Sequence, residues 1–206
     1  MTGILIAFGI VLLLPLFIGT WRTSLVSLSS QGFLMGWIAW HHGLSFSIDA
    51  ALEVVDLVVL RGVVGPAMLY AVLLQQNAPP RNDVIAPNMF SWVLSFALVL
   101  IAFRVADILI PSEGDAQTLV AVSASALLLG LLVLSTRTGL FSQTIGALRV
   151  QNAIALFELG DKHHSSLGVR IAQATLLLCS LMFFRWYLVH QNAEGDVSAS
   201  PEAPAL

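Results

Sequence analysis

The sequence predicts an all-α, polytopic membrane protein of about seven transmembrane helices, with the N-terminus outside and the C-terminus cytoplasmic. Three observations predict it. The 206 residues are 57% hydrophobic and only 10% charged, with mean hydropathy +0.87, whereas soluble domains carry about 25% charged residues. The apolar residues fall into runs of about twenty, the length that a bilayer core demands of a helix. Finally, the basic residues are lopsided. Loops on the C-terminal side hold Arg22, Arg81, Arg137 and Arg185, and the opposite side has only Lys162, beside Asp49, Glu113, Asp115 and Asp161. Basic loops stay in the cytoplasm, which fixes the expected orientation.

The expected spans are 3–19, 24–43, 52–76, 88–111, 116–136, 138–159 and 165–188. The first lacks a basic n-region and reads as a transmembrane helix rather than a cleaved signal; a signal anchor is the competing reading. The second carries Ser27, Ser29, Ser30, Gln31 and Gly32, so it should lie against other helices rather than face lipid alone. In the third, Pro66 follows Gly62 and Gly65, and its missing N–H predicts a kink. A polar loop with Pro79-Pro80 precedes the fourth span, and Pro111–Asp115 follows it. The fifth carries Ser123, Ser125 and Gly130, small residues that permit close helix approach. Ser135–Gly139 is a tight turn, and Gly160–His164 separates the last two spans. One transmembrane domain over 1–190 is expected, with residues 191–206 too poor in apolar surface to fold.

Charges inside these runs mark the candidate functional residues, because a charge deep in lipid costs several kcal/mol unless it faces protein, water or a partner. Arg61 sits mid-span beside the Pro66 break, which suits either a hydrated cavity or an arginine clamped for assembly. Arg104 and Asp107 are three apart and can pair on one face. Arg149 and Asn152 share a face of the sixth span with Gln151 alongside, and Glu158 lies near its end. Arg170 and Gln173 are one turn apart in the seventh. Such groups can relay protons through water or hold helices together. Glu53 and Asp56, near the outer end of the third span, read either as part of that system or as interfacial anchors.

Other chemistry is poorly supported. Cys179 is the single cysteine, so no disulfide or cysteine-ligated metal is expected. His41-His42 and His163-His164 would bind metal only if their loops met. No phosphate-binding glycine loop, nucleophile elbow or zinc motif occurs, and no basic tract suggests nucleic acid. No catalytic residue or cofactor is expected in this chain.

Three blocks occur in order: Arg22-Thr23-Ser24-Leu25 through Gln31-Gly32-Phe33; Leu60-Arg61-Gly62-Val63-Val64-Gly65-Pro66 through the glutamine-rich loop; and Leu128-Leu129-Gly130-Leu131-Leu132 through Gln151-Asn152. In these the chain resembles the hydrogenase-4 component E (HyfE-like) family, over about 185 residues. The part at about 116–188 is similar to the NuoK subunit of complex I and the MrpC subunit of Na+/H+ antiporters. The resemblance implies a non-catalytic subunit of an energy-converting complex in a prokaryotic inner membrane. It would sit beside antiporter-like (NuoL/NuoM-like) subunits, with soluble subunits driving proton movement. A complex I-like inorganic-carbon (CO2/bicarbonate) uptake system is a neighbouring possibility, and a self-sufficient small transporter a more distant one. The family's Met-Glu-Asn stands here as Val150-Gln151-Asn152, and Gln151 does not titrate. Its lysine before the Val-Pro block appears as Arg61, which stays protonated, and Gln173 lies near the position of the last helix's usual carboxylate. The resemblance therefore implies an altered proton path.

The orientation is checked by reporter fusions at the C-terminus. A fluorescent protein that matures in the cytoplasm should fluoresce and a phosphatase active only outside should stay silent; the opposite pattern would invert the assignment.

Overall fold

A computed structural model describes residues 2–17, 20–41, 48–75, 89–110, 114–136, 139–160 and 167–198. They form seven helices. These are α1 (Thr2–Phe17), α2 (Trp21–His41), α3, α4 (Met89–Leu109), α5 (Asp115–Thr136), α6 (Leu140–Leu159) and α7 (Leu167–Ser198). Helix α3 is built from three consecutive segments, Ile48–Val54, a π-helical Val55–Val64 and Gly65–Gln75. The all-helical expectation holds for the described residues. The helical part of α7 runs to Ser198, whereas the sequence suggested that structure ends at 190. Its last stretch is polar but contains Gln191, Ala193 and Glu194, residues that propagate a helix already begun. The Pro79-Pro80 loop, His42, His163, His164 and residues 199–206 lie outside the described residues.

Four helical stretches are long and apolar enough to cross a membrane: Ala50–Gln75, Met89–Leu109, Asp115–Thr136 and Gly168–His190. In α1 the apolar stretch is the shorter Gly3–Pro15. Helices α2 and α6 fall short for a specific reason. Their polar side chains Ser27, Gln31, Thr144, Arg149 and Asn152 are all buried, and α2 packs against α6. Much of what lowers their hydropathy thus faces protein.

Helix α2 also contacts α1 and α3; α6 also contacts α5 and α7; α7 closes back on α3. Thr20 starts α2, its hydroxyl accepting from the Thr23 N–H at 3.4 Å, as an N-cap side chain does. One apolar cluster, including Phe8, Leu12, Met35, Ile38, Leu129 and Leu156, joins α1, α2, α5 and α6. A second, including Leu28, Leu69, Val72, Ile145, Leu148 and Leu181, joins α2, α3, α6 and α7. Isolated hydroxyls within the helices are satisfied locally: Ser95, Ser123, Ser125 and Thr144 each donate to the carbonyl four residues back, at 2.7–2.9 Å, so they need no water.

The α2–α3 contact is backbone against backbone. A methyl group on Gly32 would overlap the Gly62 backbone and come within 2.8 Å of the Leu57 carbonyl oxygen. Ser29 Oγ, one turn away, donates to Gly62 O at 2.5 Å. That carbonyl is the one Pro66 could have bonded in a regular α-helix had it possessed an N–H. The break therefore takes the form of a π-helical stretch with one carbonyl handed to a neighbouring helix.

Gly32→Val should force α2 and α3 apart and destabilise the protein by about 1–3 kcal/mol, as overpacking does. Gly3→Val, where nothing lies within 4 Å, should be neutral. Thermal unfolding in detergent checks both, and equal midpoints would contradict the close approach.

Candidate functional site: a buried polar ladder

The π-helical stretch brings its two charged residues together. Asp56 and Arg61 are five apart, a separation that an α-helix turns to different faces but an i→i+5 helix stacks. The Gly65 N–H donates to Leu60 O in that register. Arg61 Nε donates to Asp56 Oδ2 at 3.0 Å. The same guanidinium crosses to α6, where Nη1 donates to Gln151 O at 3.0 Å and to Asn152 Oδ1 at 3.2 Å. A planar group with five donors on one rigid fork can hold a carboxylate and a carbonyl pair at once.

From Asn152 the ladder continues into α2. Asn152 Nδ2 donates to Gln31 Oε1 at 3.3 Å, and Gln31 Nε2 donates to Ser27 Oγ at 3.4 Å. Ser27 Oγ accepts from Arg149 Nη2 at 3.3 Å and donates to Val11 O in α1 at 2.6 Å. Arg149 is among the largest fully buried side chains. Gln151 points to the other side of α6, its Nε2 donating to Ser180 Oγ of α7 at 2.9 Å.

At the opposite end of the ladder, Arg170 Nη1 pairs with Glu53 Oε2 at 2.6 Å. Gln173 hydrogen-bonds Glu158, whose carboxyl also lies in the fields of Arg61, Arg170 and Asp56. Side-chain exposure falls along this line. It is 19% at Glu53, 17% at Arg170 and 16% at Asp56, then 3% at Arg61. Arg149, Gln31 and Asn152 are buried. The ladder therefore runs from one end of the helix group to its middle. The second apolar cluster fills the other half of the same four helices.

Six of the eight candidates thus come together: Arg61, Arg149, Gln151, Asn152, Glu158 and Arg170. Arg104 and Asp107 do not. No ion pair joins them, and both are exposed on α4. Asp107 Oδ1 instead accepts from Gln117 Nε2 of α5 at 2.8 Å. Three-residue spacing made the pair available, but a bond between adjacent helices took the carboxylate. Asp56 pairs with Arg61 within the ladder, and Glu53 pairs with Arg170 at its partly exposed end; Ser27 and Gln31 belong to it too. The signal for Asp56 was in the sequence, in the carboxylate five residues before a mid-span arginine and a Gly-Pro break, but it became legible only with π-helical geometry. His41 lies against Trp37, and among the described residues no group of three or more potential metal ligands occurs.

Comparison with known proteins supplies no neighbour: no family model, no curated protein and no solved structure matches this chain.

Arg61→Ala should destabilise the protein by about 3–5 kcal/mol, since it leaves a partly buried carboxylate and two α6 acceptors without their buried cation. Arg104→Ala should change stability by less than about 0.5 kcal/mol. Equal effects in detergent unfolding would refute the division between ladder and exposed face.

Proposed function

We propose that this chain is a multi-pass, non-catalytic subunit of an energy-converting complex related to hydrogenase-4 and complex I, in a prokaryotic cytoplasmic membrane. It supports proton translocation or its structural coupling. All seven helices cross the bilayer in this reading, α2 and α6 being carried by their neighbours. The observation that carries the reading is the buried ladder from Glu53 and Arg170 through Asp56, Arg61, Asn152, Gln31 and Ser27 to Arg149. Intramembrane charges that pair with one another and face a helix-group interior mark ion and proton pathways.

Two features favour a subunit over a self-sufficient transporter. The ladder stops at mid-depth against apolar side chains, so the described residues offer no continuous polar route from end to end. A transporter built on repeats would pair broken helices, and α3 alone among the described helices has a π-helical interruption. The resemblance to the HyfE-like family points to antiporter-like membrane subunits as partners. The complex I-like inorganic-carbon uptake system remains the alternative host, since one subunit of this kind suits either.

Purification of the tagged native protein in mild detergent, followed by mass spectrometry, tests the assignment. Antiporter-like subunits should co-purify, and the soluble subunits found with them would name the driving reaction. A protein that emerges alone or as a homo-oligomer would overturn it in favour of a transporter.

A further inference from the structure

Helix α4 keeps most of its surface outside the helix group. Only 17% of its membrane-length stretch is buried, against 56% in α5. The buried side chains are Ser95, Ala102 and Ala106, which share one side of the helix, and α4 packs on α5. Arg104 follows Ser95 by nine residues, about two and a half turns, so it stands diametrically opposite that side. Phe90, Val93, Leu100 and Ile108, each more than half exposed, lie on the same outer face. Arg104 is exposed as well. Among the described residues no carboxylate pairs with it, because Asp107 accepts from Gln117 of α5 instead.

An arginine on an apolar outer face is costly in hydrocarbon unless it meets protein, water or an opposite charge. Arg104 lies five residues before Leu109, the end of α4, or about 7.5 Å along the axis. Helical side chains lean toward the N-terminus of their own helix. Arg104 therefore leans over Leu100 and Ile101, away from the nearer end and toward the middle of the span. A lipid phosphate sits at the surface in the opposite direction, so snorkelling to it would run against that lean. A second copy of this chain fits no better. In a closed dimer about an axis normal to the membrane, the residue at the centre of a shared face meets its own copy. Arg104 would then face Arg104, and like charges repel most where the dielectric is low. A carboxylate on a different transmembrane helix meets the charge at its own depth and accepts two parallel hydrogen bonds from the guanidinium.

We propose that the outer face of α4 is the docking surface for a transmembrane helix of a partner subunit, one that sets an aspartate or glutamate against Arg104. Phe90, Val93, Leu100 and Ile108 supply the apolar contact along that helix, and the ion pair fixes its depth and its identity. A helix without the carboxylate leaves Arg104 uncompensated, which excludes wrong partners as well as attracting the right one. The proposal rests on the reading of this chain as a membrane subunit of a larger complex, and it names the face and the chemistry by which the complex is held.

The test places the photo-reactive residue benzoylphenylalanine at position 100 of the tagged full chain and irradiates the native membrane before solubilisation. One dominant protein adduct should form, and mass spectrometry should map it to a transmembrane segment that contains an aspartate or glutamate. Arg104→Glu should lower the adduct yield at least tenfold, whereas Arg104→Lys should keep most of it. Exchanging the partner's carboxylate for arginine in the Arg104→Glu background should restore the yield, which a misfolded variant would not allow. Adducts with lipid alone, with a second copy of this chain or with a segment lacking a carboxylate would overturn the proposal, as would a yield unchanged in Arg104→Glu. If the cross-linked helix belongs to a protein that is not antiporter-like, the surface stands and the complex assignment fails. If antiporter-like subunits co-purify but the yield ignores Arg104, the assignment stands and the surface fails.

Discussion

The Arg61 guanidinium ties the helix group together because it cannot shed its charge and has almost no access to solvent. Its hydrogen bonds draw α3 onto α6, and the α6 partner Asn152 then engages α2 through Gln31. In lipid, apolar side chains gain little by leaving hydrocarbon for protein, so helix association depends on close packing and interhelical hydrogen bonds. The two work together here. The glycine contact at Gly32 and Gly62 brings α2 and α3 to backbone distance, and the ladder begins within a turn of that contact.

The same arrangement explains an unusual distribution of polarity. Serines in α5 bond their own helix and present an apolar outer surface to their neighbours. The side chains of Gln31, Asn152 and Arg61 bond across helices instead, so substitution of Asn152 takes a partner from both of the others. A half-satisfied polar network is worse than an apolar core. The second apolar cluster, in the other half of the same four helices, shows that packing without polar groups is available to this fold. The ladder is thus a localised feature, confined to about half the length of the group.

Much of the fold was legible because its signal is coarse. Runs of about twenty apolar residues with breaks at Pro111, Gly139 and Gly160 give helix number and approximate boundaries. Arg149, Asn152 and Arg170 stood out for the same reason, as polar groups in apolar surroundings. Pairing was harder to read. Arg104 and Asp107 have good α-helical spacing but lie exposed, while Asp56 and Arg61 have poor spacing and pair. The first depends on which helix face meets a neighbour. The second depends on a local change of helical register, for which Gly62, Gly65 and Pro66 gave only a hint. Arg170 lies one turn from Gln173 in sequence, yet it pairs with Glu53, 117 residues away, a contact set by the return of α7 onto α3.

The separation between α2 and α6 in the chain has a consequence for biogenesis. Gln31 is synthesised 121 residues before Asn152, the side chain that occupies its carbonyl oxygen. At about 5–20 residues per second, the ribosome takes roughly 6–24 s to cover that interval. Throughout it α2, too polar to settle in lipid by composition alone, has α1 and α3 for company but not the helix that completes its polar face. In the proposed reading, where all seven helices cross the bilayer, the polar face of α2 stays incomplete until the sixth helix is made.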